Sequence, residues 1–103
     1  MIFHQFMIIY QDIDGPLDPP NCRRMIRRIL SEGSVRFSKH ALEEIAKDDL
    51  AEIDIVNVLR GGFPGPGELE NGSWRYCVKA QRIAVVVAFR SEASLVVVTA
   101  WRF

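Results

Sequence analysis

Three consecutive runs rich in β-branched and aromatic residues fill most of the C-terminal third of the chain. They cover residues 74–80, 82–89 and 95–102, and short polar turns at residues 80–81 and 90–94 join them. Strands joined by such short turns pair antiparallel, because a parallel pair needs a long crossover connection. The sequence therefore predicts a three-stranded antiparallel meander.

Helical periodicity precedes these strands. Four apolar side chains at helical spacing predict a first helix over residues 22–32, with Asn21 as its cap. Two further helices are predicted at residues 39–47, after a Ser38 cap, and at residues 51–60. The pair of aspartates between them favours a tight turn, because aspartate is a poor helix former.

Helices followed by consecutive antiparallel strands predict an α+β fold. In it, two or three N-terminal helices pack on one face of a C-terminal antiparallel sheet. The sheet comprises the meander and one or two short N-terminal strands, of which residues 35–37 are one. Residues 61–73 contain five glycines and two prolines, and this composition predicts a mobile loop.

The chain has 103 residues, enough for one hydrophobic core and one principal site. We assign residues 21–103 to a single domain. Residues 1–20 are predicted to form an N-terminal arm, either disordered or a strand, or to precede the true start of the protein; their apolar run is too short to span a bilayer. Cys22 and Cys77 lack metal-ligand spacing and are predicted to be reduced thiols of a cytoplasmic protein with no membrane segment.

The formal net charge is zero, so a site for an anionic ligand has to be local. We expect Lys79 to pair with Arg82, and Val85 to pair with Thr99, across the strands. Because side chains alternate along a strand, this register assigns one bulky face of the sheet to the helices. That face comprises Tyr76, Val78, Ile83, Val85, Val87, Phe89, Leu95, Val97, Thr99 and Trp101.

The opposite, open face of the sheet is predicted to have small side chains and a cationic rim. Lys79, Arg82 and Arg102 form one row there in the expected register. Three like charges side by side destabilise a sheet, and a bound phosphate would relieve that repulsion. Alternatively, these charges are solvated strand ends that nearby carboxylates neutralise. The candidate carboxylates are Glu68, Glu70 and Glu92.

Two further features have both a structural and a functional interpretation. His40, just after the predicted Ser38 cap, is either a proton acceptor in catalysis or a structural histidine bonded to backbone. The charged surface of the first helix is either solvated or contacts nucleic acid or a partner protein. Its arginines are Arg23, Arg24, Arg27 and Arg28.

The sequence contains no metal-ligand spacing, phosphate-binding loop, dinucleotide fingerprint or nucleophile elbow, so we expect neither a metal nor a cofactor. Catalysis would then depend on Arg, Lys, Tyr and His side chains acting on an anionic substrate. Cleavage of RNA by attack of its own 2′-hydroxyl fits that description, since the substrate supplies the nucleophile.

Six stretches, within residues 23–102, together resemble one bacterial family of domains of unknown function. They are VRFSKHA at 35–41, DDL at 48–50, DIVNVLRGG at 54–62, ELENGSWRY at 68–76, RIAVVVAF at 82–89 and VVVTAWR at 96–102. That family is grouped with the barnase/RelE-like fold, alongside the MqsR toxins of type II toxin–antitoxin systems. The resemblance implies a RelE-like fold and an mRNA interferase that acts on RNA, free or ribosome-bound. It also implies a cognate antitoxin of zinc-finger or helix-turn-helix type.

Three hypotheses follow. The first is a metal-independent endoribonuclease toxin, in which the resemblance and the charge pattern single out seven residues. The second is a catalytically inert module that docks a partner protein on the basic sheet face. The third is a homodimer that covers the apolar side chains of the open face. The catalytic candidates are His40, Arg75, Tyr76 and Arg82, and the candidates for RNA or phosphate binding are Lys79, Trp101 and Arg102.

Overall fold

The computed structural model describes residues 15–103. The helices are α1 (Pro19–Glu32), α2 (Lys39–Lys47) and α3 (Glu52–Gly61). The strands are β1 (Ser34–Phe37), β2 (Phe63–Pro64), β3 (Glu68–Glu70), β4 (Ser73–Ala80), β5 (Ile83–Ser91) and β6 (Ser94–Arg102). Residues 1–14 of the predicted N-terminal arm lie outside the described part of the chain.

Helix α1 begins three residues earlier than predicted. Its cap is Asp18 rather than Asn21, and the Asp18 carboxylate accepts the Asn21 backbone N–H at 2.9 Å. The two prolines that follow Asp18 are tolerated there, because the first N–H groups of a helix have no intrahelical acceptor to lose. The predicted apolar stripe is confirmed, with Ile26 and Ile29 fully buried and Cys22 one turn before them.

The next two helices lie where the sequence predicts them. The Ser38 hydroxyl accepts the Ala41 N–H at 2.9 Å and caps α2. The aspartate pair ends that helix, with Asp49 in the left-handed region at φ 56°. At the start of α3, the Asp54 carboxylate accepts the Ala51 N–H at 2.8 Å. Local capping chemistry therefore sets both boundaries.

The strands form one mixed sheet in the order β1-β6-β5-β4-β2, and β3 lies off this order and pairs with residues 73–75 at the start of β4. The meander β4-β5-β6 is antiparallel, as predicted, but β1 runs parallel to β6. Helix α2 packs against β6, and α3 packs against β4 and β5, so the helices cover one face. The predicted α+β fold is confirmed.

Residues 61–73 are more ordered than the predicted loop. Strands β2 and β3 lie within this segment and both pair antiparallel with β4. Asn71 and Gly72, at φ 51° and 77°, form the two-residue turn from β3 to β4. This geometry matches the right-handed twist of a hairpin, and an Asn-Gly pair adopts it readily.

The β4–β5 turn differs from the expected one by one residue. Its central residues are Gln81 and Arg82, both at positive φ, so Lys79 faces Ala84 rather than Arg82. The expected pairing of Lys79 with Arg82 is therefore wrong. Because the partner changes by two positions, the assignment of β4 and β5 side chains to the two sheet faces is unchanged.

A bulge changes the β5–β6 register. Val87 pairs with Val97 while Val86 pairs with Thr99, so Val98 is an extra residue on β6. Beyond the bulge, every β6 side chain changes to the opposite face from the expected one. Thr99 and Trp101 therefore lie on the open face, and Arg102 lies on the helix side; the expected pairing of Val85 with Thr99 is wrong.

The hydrophobic core fills the space between the helices and the sheet. Ile55 and Leu59 of α3 meet the buried side chains of the strands, among them Tyr76, Val85 and Val97. Leu17, just before α1, packs against the same cluster. Of the helices between residues 15 and 103, none is both long and apolar enough to cross a membrane.

Candidate functional site

A groove of about 440 Å³ lies on the open face of the sheet. Strands β4 and β5 form its floor, and β3 and β6 form its two walls. The residues that line it are Pro66, Glu68, Leu69, Glu70, Arg75, Cys77, Lys79, Val86, Thr99 and Trp101. It therefore combines two carboxylates, two cations, a thiol, a hydroxyl and an indole.

The wall formed by β3 brings carboxylates next to a guanidinium. Glu68 lies directly across the ladder from Arg75, and the Arg75 Nη1 is 2.7 Å from Glu70 Oε1. The Arg75 Nε is buried and has no hydrogen-bond acceptor among residues 15–103. Since guanidinium has five N–H donors, Arg75 retains donors for an additional acidic or anionic group.

Cys77 lies on the groove floor, between charges of opposite sign. Burial raises the pKa of its thiol; the Lys79 ammonium opposes this shift and the Glu68 carboxylate adds to it. The thiol is therefore protonated at neutral pH and is a poor nucleophile. Within residues 15–103, no group of three or more His, Cys, Asp or Glu side chains could hold a metal ion.

The far wall of the groove comes from β6. The bulge at Val98 places Thr99 opposite Val86 and Trp101 opposite Ala84, so both side chains face the groove. The Trp101 side chain is 37% exposed. An indole that is partly exposed beside polar groups offers a stacking surface for a planar ligand.

The structure brings three of the seven candidate residues into the groove. They are Arg75, Lys79 and Trp101. Arg75 and Lys79 are on the face that the strand alternation predicts, whereas Trp101 was expected against the helices. His40 is exposed near the start of α2 and is not among the groove-lining residues.

Tyr76 is buried on the helix side of the sheet, with 1% of its surface exposed. Its hydroxyl accepts the Leu17 backbone N–H at 2.9 Å, and its ring lies 5.6 Å from that of Phe89. Burial raises the pKa of this phenol. These contacts describe a core residue that anchors the chain before α1.

Arg82 and Arg102 do not join Lys79 in a row, so the expected cationic row is wrong. Arg82 is in the β4–β5 turn. The Arg102 guanidinium donates to the carbonyls of Asp48 and Asp49 at 3.1 and 3.3 Å. A cation at these carbonyls is favourable because they are the unpaired acceptors at the end of α2. Arg102 thus stabilises the turn between α2 and α3.

Glu68 and Glu70 are groove residues that sequence reasoning named only as counter-charges. The Asn71-Gly72 pair could have indicated their position, because it lies between an alternating Glu-Leu-Glu run and the run that forms β4, a pattern typical of a hairpin. An Asn-Gly hairpin at that point places Glu68 opposite Arg75 by counting alone. The charge of the groove is consequently balanced rather than cationic.

A family described as a domain of unknown function (DUF4258) matches residues 37–102, more than half of the chain. The chain belongs to this family. The DUF4258 match extends from the last residue of β1 to the last residue of β6 and includes every groove-lining residue. No curated protein and no solved structure matches the chain.

Proposed function

We propose that this DUF4258 protein is a metal-independent endoribonuclease that acts as the toxin of a type II toxin–antitoxin pair. The observation that carries the proposal is the groove in which Glu68 and Glu70 lie beside Arg75, with Lys79 on its floor and Trp101 on its far wall. Cleavage of RNA by its own 2′-hydroxyl needs a proton acceptor, a group that stabilises a phosphorane, a proton donor and a surface for a base. The groove holds side chains of each type.

In the proposed reaction, the Glu68 carboxylate accepts the proton of the 2′-hydroxyl, and the 2′-oxygen attacks the adjacent phosphorus. We assign this role to Glu68 because Glu70 is already bound by the Arg75 guanidinium. Arg75 stabilises the negative charge on the phosphorane oxygens. The P–O5′ bond breaks as the Lys79 ammonium donates a proton to the 5′-oxygen. The products carry a 2′,3′-cyclic phosphate and a 5′-hydroxyl.

Trp101 and Thr99 are proposed to hold the nucleotide next to the reacting phosphate. An unpaired base stacks on the exposed part of the Trp101 indole, and the Thr99 hydroxyl forms a hydrogen bond with that base. His40, Tyr76, Arg82 and Arg102 take no part in this mechanism, and their predicted roles stay predictions.

The biological setting is proposed from the resemblance to RelE- and MqsR-like toxins. It comprises a cytoplasmic location, RNA as a free or ribosome-bound substrate, and inhibition by a cognate antitoxin with a zinc-finger or helix-turn-helix region. A homodimer is a further proposal. An adjoining gene whose product relieves growth arrest would support the toxin assignment directly.

The test is controlled induction of the protein in bacteria, with growth recorded and RNA 5′ ends mapped. Wild type is compared with Glu68→Gln and Arg75→Ala, and Glu43→Gln is the matched control because Glu43 is exposed on α2. We expect wild type and Glu43→Gln to arrest growth and to create new 5′-hydroxyl ends. Both effects should disappear in Glu68→Gln and Arg75→Ala, with circular dichroism showing that the variants fold.

Normal growth and intact RNA in cells that contain folded wild-type protein would contradict the proposal. The second candidate, an inert module that docks a partner protein in the same groove, would then be favoured. One observation supports it: the ion pair of Arg75 with Glu70 and the exposed Leu69 make the groove rim balanced in charge and partly apolar. Such a rim suits a protein partner.

A further inference from the structure

Phe63, on the short edge strand β2, is an exposed aromatic side chain with one ring face covered by a cation. Its side chain is 68% exposed, and the Arg23 guanidinium carbon lies 4.0 Å from the ring centroid. The Arg23 Nε is buried and has no hydrogen-bond acceptor among residues 15–103. The Arg23 guanidinium therefore lies over one face of the Phe63 ring, while most of the side chain stays exposed.

Two further arginines of α1 extend this surface. Arg24 and Arg27, together with Pro19 and Pro20, line a hollow of about 360 Å³ beside Phe63. Arg24 donates to the Asn21 side chain, and Arg27 donates to the Arg60 carbonyl at 3.2 Å. Neither makes a salt bridge with any carboxylate in residues 15–103. Their positive charge is thus uncompensated at this surface.

The same surface continues into the groove. Phe63 is the ladder partner of Lys79, which lines the groove. The Lys79 Nζ lies 5.7 Å from the ring centroid of Phe103, whose side chain is also exposed. Cations and aromatic rings therefore alternate from α1, around the β2 edge, to the open face. We name this surface the cation–aromatic strip, and it comprises Arg23, Arg24, Arg27, Phe63, Lys79 and Phe103.

We infer that the cation–aromatic strip binds single-stranded RNA in continuation of the groove, so that the substrate is an unpaired strand rather than a duplex. This inference rests on the proposed function for the identity of the ligand as RNA. Exposed ring faces accept unstacked bases of any sequence, and arginines and lysines between them contact the phosphates. A duplex keeps its bases stacked and cannot present them to Phe63.

An acidic protein segment is the competing ligand for a surface with this charge. It would pair with the arginines but would leave the open ring faces of Phe63 and Phe103 without a planar partner. The alternation of rings and cations therefore favours a nucleic-acid strand over a carboxylate-rich peptide.

The experiment measures binding rather than cleavage. Glu68→Gln is the parent protein, so that the RNA stays intact, and the probe is a fluorescent single-stranded 12-mer of uridine followed by anisotropy. The comparison is Phe63→Ala in that parent. The control is Ile53→Ala, because Ile53 is 60% exposed on α3 and lines neither the hollow nor the groove. We expect Phe63→Ala to weaken binding about tenfold, since loss of one base–aromatic stack has an effect of that order. Ile53→Ala should not change the affinity.

Charge is tested by the salt dependence of the same binding. Arg24→Gln and Arg27→Gln should each reduce the slope of log K against log salt by about 0.7, the value for one phosphate contact to a single strand. A 12-base-pair duplex should bind the parent more weakly than the single strand does.

The outcomes separate the strip from the proposed function. If the parent binds the 12-mer and Phe63→Ala binds it equally well, the strip inference is wrong and the proposed function stands. If RNA binds with the expected Phe63 dependence but wild type cleaves nothing, the strip inference stands and the nuclease assignment is wrong. Failure of the parent to bind the 12-mer would overturn the inference. An affinity for the 12-mer that Phe63→Ala leaves unchanged, together with displacement of the 12-mer by poly-glutamate, would overturn it in favour of an acidic protein ligand.

Discussion

The Ser38 hydroxyl donates a hydrogen bond of 2.9 Å to the carbonyl of Val98, the extra residue in the β6 bulge. The oxygen of the same hydroxyl accepts the Ala41 N–H at 2.9 Å. One side chain therefore caps α2 and holds the bulge against it. Because the bulge turns Thr99 and Trp101 toward the groove, Ser38 connects the start of a helix to the orientation of the proposed base-binding wall.

Replacement of Ser38 by alanine should lower the free energy of unfolding by about 1–2 kcal/mol. The change removes a helix cap and leaves the partly buried Val98 carbonyl without its donor. Urea unfolding monitored by circular dichroism measures the loss, and Ser38→Thr, which keeps a hydroxyl, should lose less. Equal stability of Ser38→Ala and wild type would show that the bulge does not depend on this hydrogen bond.

Replacement of Tyr76 by phenylalanine should affect stability but not RNA cleavage. The variant loses the hydrogen bond from the Leu17 N–H and leaves that donor unpaired, at a cost of about 1 kcal/mol. The buried ring and its contact with Phe89 remain. A large fall in cleavage rate without a change in unfolding free energy would contradict the core role and would restore Tyr76 as a catalytic candidate.

The elements set by local chemistry could be predicted from the sequence. The helices follow from apolar spacing and from a Ser38 cap, and the meander follows from three β-rich runs. The groove position of Arg75 and Lys79 follows from simple alternation along β4. Strand β3 could also have been predicted, because Asn71-Gly72 is a local signal for a hairpin.

The register at the end of β6 could not be predicted in the same way. The bulge at Val98 depends on a contact with Ser38, 60 residues away in sequence. The alternation of residue types along β6 does not indicate this bulge. The position of Arg102 follows from that bulge, so its contact with Asp48 was equally hidden. The β4–β5 turn was missed for a different reason: Gln81 and Arg82 are not typical residues for a turn with two positive φ angles.

This unusual turn leads to a stability prediction. Arg82 has φ 63°, a conformation that costs a side-chain-bearing residue roughly 1–2 kcal/mol and that glycine adopts freely. After allowance for the greater flexibility of glycine in the unfolded chain, Arg82→Gly should raise the free energy of unfolding by about 0.5–1 kcal/mol. Arg36→Gly, at an exposed position in the regular β1–β6 ladder, should lower it. Loss of RNA cleavage in a stabilised Arg82→Gly protein would contradict the assignment of Arg82 to the turn alone.

Cys22 should make the protein sensitive to alkaline pH. Burial raises the pKa of its thiol from 9.0 to about 12 in the folded state. A group whose pKa is raised by folding stabilises the protein fully below its unfolded pKa, and that stability is lost as pH rises toward the folded value. The free energy of unfolding should therefore fall between pH 9 and pH 12, by up to about 1.4 kcal/mol per pH unit from this group.

The check is urea unfolding at several alkaline pH values. Cys22→Ala lacks the titrating thiol, so its unfolding free energy should depend less steeply on pH than that of wild type, although its absolute stability is lower because of the smaller side chain. Parallel curves for the two proteins would contradict the prediction.

The central claim is that the groove cleaves RNA through the 2′-hydroxyl without a metal, and end analysis of cleaved RNA tests it most directly. Purified protein is incubated with end-labelled single-stranded RNA in EDTA, with and without ribosomes. We predict fragments that end in 2′,3′-cyclic phosphate. These fragments should not form with Glu68→Gln, nor at positions where the sugar on the 5′ side of the cleaved phosphate is 2′-deoxy. Intact RNA in the presence of folded wild-type protein, or the same fragments from Glu68→Gln, would contradict the account.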